Sequence, residues 1–134
     1  MRFRLVFIFA PVLLLAACSK SQPAAELKGS PAPGASFQVA LRVQPNPPKY
    51  NQDTTFHVTL KDSAGRPVED ASVSADLLMP GMDMGEHKVV LAPLGGGDYE
   101  GVGRFSMGGD HEVVINAYKA GATAKVVFNV TVAL

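Results

Sequence analysis

Three observations predict an all-β, antiparallel sandwich. Apolar residues alternate with period two from Ser36 onward, clusters of Gly, Pro, Asn and Asp separate the runs, and no helical periodicity competes over a useful length. Strand-sized segments with one apolar face must bury it against a second layer.

The first element is not part of that sandwich. MRFR supplies a positive start through Arg2 and Arg4, and Leu5 to Ala17 form an apolar run of thirteen residues. A membrane-spanning helix needs about 20 residues, so the run reads as the core of a secretory signal, residues 1–17. It ends in Leu15-Ala16-Ala17-Cys18, small residues before the chain's only cysteine. That is the bacterial lipobox pattern, in which Cys18 becomes a lipidated mature N-terminus. The competing reading is an ordinary signal with an incidental cysteine. Lipidation at Cys18 makes the expected partner a membrane and the expected location the cell envelope, facing the periplasm. Ser19 favours the outer membrane in a Gram-negative cell. Several acyl chains anchor far more firmly than one.

Residues 18–35 continue as SKSQPAAELKGSPAPGA after the cysteine, nearly free of large apolar groups. Such a composition buries too little to fold and predicts a flexible tether. At roughly 3 Å per residue it would hold the domain several nanometres off the membrane.

The sandwich occupies residues 36–134. Its expected strands follow the runs Phe37-Val39-Leu41-Val43, Phe56-Val58-Leu60, Val73-Ala75-Leu77-Met79 and His87-Val89-Leu91. Next come Tyr99 to Phe105, loosened by Gly101 and Gly103, then Val113-Ile115-Ala117 and Val126-Phe128-Val130-Val132. Turn signals PNPPKYNQ, DSAGRPVED, MPGMDMG, PLGGGD, MGGD and KAG lie between them. Seven strands of this kind predict an immunoglobulin-like sandwich.

With Cys18 acylated, no thiol remains for a disulfide, so the domain must rely on its core. Loss of Arg2 and Arg4 with the signal leaves ten basic against twelve acidic residues. That balance gives no footprint for nucleic acid.

If successive connections alternate between the two ends, the loop after the third strand lies beside the loop after the fifth. MPGMDMGEH would then meet SMGGDH. Strand parity sends Met79, His87, Met107 and His111 toward the sandwich axis at one rim, with Met82 and Met84 above them. A one-residue slip would reverse every face.

Thioethers and imidazoles together suit a soft ion, above all Cu(I). Methionine also survives where cysteine would be oxidised. Asp83, Glu86, Asp110 and Glu112 would add negative potential that draws cations in. Pro80, Gly81 and Gly85 permit the tight turns of a small ligand cage. The expected ligands are Met79, Met82, Met84, His87, Met107 and His111, and the expected cargo is copper.

Plainer readings stand beside this one. Met79 at a strand end can be a core plug, His111 a hydrogen-bonded rim residue and His87 merely solvated. Met82 and Met84 can form an adaptable surface for a protein partner. His57 has the opposite parity to Phe56 and Val58 and reads as exposed and structural. Gly95-Gly96-Gly97 lacks the Lys-Ser/Thr of a phosphate loop and reads as a hairpin connection. No G-x-S-x-G, HExxH or cysteine–histidine set occurs, so no enzyme is expected.

The stretches DSAGRPVEDASVSADLLMPGMDMG and GGGDYEGVGRFSMGGDHEVVINA, with a closing FNVTV strand, resemble the YtkA-like (FixH-related) family of small exported or membrane-anchored bacterial domains. The carrying pattern is a G-x-P-V turn, an M-P-x-M-x-M loop, a G-x-Y hairpin and an M-x-G corner. The resemblance implies an immunoglobulin-like fold and a setting in copper handling or oxidase assembly, near metal-efflux components. Similar domains usually carry an aromatic residue, often Trp, two positions after the corner glycine; this chain has Gly109-Asp110-His111 and no Trp. The functional expectation is a copper-buffering or copper-delivering envelope lipoprotein with a copper-handling, efflux or oxidase partner. The alternative is a metal-free module that docks on such an envelope complex.

Overall fold

Burial alternates along each strand, and this alternation builds the fold. A computed structural model of the chain describes residues 25–83, 85 and 87–134. The signal segment, Cys18, Met84 and Glu86 lie outside the described residues. Among those described there are eight strands and no helix: β1 (Gly29–Pro31), β2 (Gln38–Gln44), β3 (Asp53–Lys61), β4 (Ser72–Leu78), β5 (Lys88–Gly95), β6 (Asp98–Arg104), β7 (Gly109–Lys119) and β8 (Ala122–Val132).

All neighbours pair antiparallel in the order β1-β8-β7-β4-β5-β6-β3-β2. β5 serves both layers. Lys88 to Leu91 pair with β4, and the chain then crosses so that Ala92 to Gly95 pair with β6, with a register shift between Pro93 and Gly95. Strands that switch layers this way form the corner of a sandwich. The inward faces are those the alternation predicts: Leu41 and Val43, Phe56 to Leu60, Val73 to Leu77, Val113 to Ala117 and Val126 to Val132 supply the core. Fully burying a side chain of this size contributes about 1.5–3 kcal/mol.

Tyr99 shows how the core handles a polar group. Its fully buried hydroxyl donates to the Val68 carbonyl at 2.8 Å and accepts the Ala71 amide at 3.0 Å. The pair of bonds pins the connection between β3 and β4 to the sandwich.

The eighth strand is a departure from the expected seven. It comes from the segment expected to be tether. Leu27 donates its amide to the Leu41 carbonyl at 2.9 Å and packs against the core. Gly29 to Pro31 pair with Phe128 to Val126, and the amides of Ala32 and Ser36 donate to the Lys125 and Thr123 carbonyls, each at 2.8 Å. Gly29 makes the approach feasible, since a Cβ there would lie 2.5 Å from the Phe128 ring. Residues 27–36 are thus a strap that closes the seam between β8 and β2. Backbone pairing and one glycine hold it, with no apolar alternation.

Candidate metal centre

The registers bring one set of chain ends together. Gln44 pairs with Thr55, Asp53 with Arg104, Leu78 with Glu112, and Gly109 with Val132. The β2–β3, β4–β5 and β6–β7 connections therefore share one rim, as alternation of the connections predicts.

On this rim, Met79-Pro80-Gly81-Met82 forms a tight turn. The Met82 amide donates to the Met79 carbonyl at 3.1 Å, and Gly81 has φ +79°. Pro at the second position and Gly at the third are the residues a type II turn requires. Two thioethers are thus fixed at the ends of one turn. Met79 is half-buried, and its methyl would lie 3.4 Å from a Cβ placed on Gly109, so this turn meets the β6–β7 corner. Met82 is 53% exposed. Beyond it the Asp83 carboxylate accepts the Gly85 amide at 3.1 Å. Leu77 donates its amide to the His87 carbonyl at 2.9 Å, which returns the loop alongside β4. The His87 side chain is half-buried.

His111 sits at the start of β7, only 2% exposed. Its ring stands edge-on to Phe105, with centroids 5.0 Å apart, and Phe105 in turn lies 5.9 Å from Phe56. Nδ1 lies 3.1 Å from the Gly109 carbonyl, and Nε2 is buried without a partner. A carbonyl oxygen only accepts, so Nδ1 is the donor, and in the neutral tautomer this leaves the lone pair on Nε2. Ligating histidines are commonly oriented by such a second hydrogen bond.

The structure corrects part of the expected ligand arrangement. Met107 does not point into the axis: it is 39% exposed, because the bend through Ser106 to Gly108 breaks the parity carried from Phe105. His87 stands one residue before β5, but the Leu77 bond keeps it in register, half-buried on the same face as Val89 and Leu91. Met79 and His111 take the inward positions expected of them, and Met82 lies above them. The sequence reading missed Thr54. Its buried hydroxyl also has no partner at this end of β3, and extending the Phe56-Val58-Leu60 parity by two residues would have found it.

Among the described residues, no three His, Cys, Asp or Glu side chains gather closely enough to hold an ion. The donors that the rim brings together are thioethers and an imidazole, a set for a soft cation. Asp83 and Asp110 are exposed nearby, the latter accepting the Thr131 hydroxyl at 2.8 Å. The Arg104 guanidinium beside Asp53 holds that carboxyl below its ordinary range, first by hydrogen bonding and then by charge. His57 faces outward on β3, 3.6 Å from Asp98 and 3.8 Å from Glu100. A surface groove of about 570 Å³ lies across Ser74, Val90, Asn116 and Lys125 on the outer face, away from the rim.

Residues 32–116 match the family model described as YtkA-like. The chain belongs to the YtkA-like family. The matched span covers the methionine turn and the glycine corner. No curated protein sequence matches the chain. Where the family resemblance leads one to expect an aromatic ring after the corner glycine, this YtkA-like domain has the His111 imidazole packed on Phe105.

Proposed function

We propose that this YtkA-like domain is a cell-envelope lipoprotein, anchored through Cys18, that binds copper as Cu(I) at its rim and buffers it or hands it on. The observation that carries the reading is the His111 imidazole. Its Nδ1 is held by the Gly109 carbonyl and its Nε2 lone pair is unclaimed, at a corner that the Met79–Met82 turn touches. Met79, Met82 and His111 are the leading ligands. Met107 and His87 lie within the same rim, and Met84 follows Met82 in the loop. Asp83, Asp110 and Glu112 act through their field, since carboxylates are poor partners for a soft ion. The role is binding and transfer, not catalysis.

The test is a Cu(I) titration of the protein against a chromogenic chelator under reducing, oxygen-free conditions. Withdrawal of one equivalent, lost in a Met82→Leu variant that still folds, supports the reading. No withdrawal even from a weak chelator refutes it. The exposure of Met82 and Met107 favours the second reading, a metal-free surface that docks on an efflux or oxidase complex. On that reading Met82→Leu is nearly silent for the isolated protein, because the two side chains are close in volume.

A further inference from the structure

The strap determines which end of the sandwich is nearer the anchor. Leu27 pairs antiparallel with Leu41, and Gly29 to Pro31 pair antiparallel with Phe128 to Val126. β2 and β8 both finish at the rim, so a segment antiparallel to both runs down from the rim. Followed backwards, the chain leaves the fold toward the rim. Cys18 precedes Ala25 by only seven residues. Even fully extended, at 3.3–3.6 Å per residue, these reach about 25 Å. The opposite end is farther away by the length of β7 and β8, eleven residues each, about 35 Å of strand.

An apolar crest runs along the same end. The Tyr50 amide donates to the Ala133 carbonyl at 2.8 Å, and Leu134 lies so close on Gly108 that a Cβ there would come within 2.5 Å of it. Met107 adjoins Gly108, the Met79 methyl lies near Gly109, and Met82 is bonded back to Met79. Tyr50 is 48% exposed, Met82 53% and Met107 39%. A tyrosine among flexible apolar groups is a composition suited to the headgroup layer. Asp83 and Asp110 flank the crest and Lys49 adjoins Tyr50, a mixed charge that suits a zwitterionic surface.

We propose that the rim rests against the surface of the bilayer that holds the Cys18 acyl chains, with Tyr50, Met82 and Met107 as the contacting side chains. This rests on lipidation of Cys18 and not on copper binding.

The experiment uses the lipidated protein in phosphatidylcholine vesicles that contain a headgroup-linked nitroxide. Cys18 is the only cysteine and its thiol is acylated, so a fluorophore can be placed singly through Asp83→Cys at the rim or Ser63→Cys at the opposite end. Membrane retention is measured first. The expected result is loss of most fluorescence at the rim, none at the far end, and recovery of the rim signal in a Tyr50→Ser, Met107→Ser background. Equal quenching at both ends, or stronger quenching at Ser63→Cys, overturns the orientation. Rim quenching that survives the double substitution overturns the contact. Rim quenching seen in native membranes but not in the pure lipid overturns the bilayer as occupant and gives the crest to a membrane protein. A protein that is not retained on membranes overturns the proposal together with lipidation, while the Cu(I) titration is unaffected.

Discussion

Phe105 and His111 meet edge to face at 5.0 Å, an imidazole seated among core aromatics with one nitrogen left unbonded. A buried polar atom without a partner costs about 1–3 kcal/mol. Replacing His111 with Phe removes that cost and keeps the stacking, while the Gly109 carbonyl loses its bond from Nδ1. The two changes oppose each other, so the apo protein is expected to stay within about 1 kcal/mol of the wild type in urea unfolding. Its Cu(I) affinity is expected to fall at least about tenfold, a loss of about 1.4 kcal/mol, in chelator competition. A loss well beyond the roughly 0.5–1.5 kcal/mol of that one hydrogen bond would mean that Nε2 has a structural partner and is not a free ligand.

Tyr99→Phe tests the opposite case, a buried hydroxyl with every bond made. The Val68 carbonyl and the Ala71 amide would lose their partner while the ring stays in place. Destabilisation by about 1–3 kcal/mol is expected, with copper binding unchanged because the tyrosine lies away from the rim.

Gly29→Ala addresses the strap. The new methyl would sit 2.5 Å from the Phe128 ring and 2.6 Å from Val126, both core groups with little freedom to yield. A cost of about 1–3 kcal/mol is expected. Amide exchange should accelerate along the strap. The neighbouring Ser30→Ala, on an exposed position, should change stability by no more than about 0.5 kcal/mol.

Two carboxylates set an acid limb. Asp62 accepts the amides of Arg66 and Ala64 at 2.9 Å each, and its carboxyl is held below the ordinary 3.8, chiefly by the Arg66 amide. Asp53 is lowered by Arg104. A depressed carboxyl stabilises fully above its unfolded value, and the contribution is lost as pH falls through the folded one. Stability from these groups should be flat above pH 5 and should decline below about pH 4. In urea unfolding at stepped pH, the gap between wild type and an Asp53→Asn, Asp62→Asn variant should close as the pH drops below 3.8.

The strand faces were legible because burial and alternation coincide: Leu41, Phe56, Ala75, Ile115 and Phe128 all point where period two sends them. The meeting of the β4–β5 and β6–β7 connections was legible too, from the alternation of ends. The strap was not, since Leu27 is its only large apolar residue and its pairing depends on a distant strand meeting Gly29. Met107 was misplaced because parity holds only while the backbone stays extended, and Ser106 to Gly108 bend. Thr54 was passed over because an inward threonine adds nothing to an apolar pattern.

The pairing of Gly29 with Phe128 joins residues 99 positions apart in the chain. Synthesis runs from the N-terminus, so β1 is the first of the eight strands to be made, yet its partner β8 is the last. Until β8 arrives, the strap has no ladder and the outer edge of β2 has no cover. Contacts of such long separation form slowly, because the loop between them must close first. Closure of the seam is therefore the latest step open to this fold, and an uncovered β2 edge is the surface on which an unfinished chain would meet its neighbours.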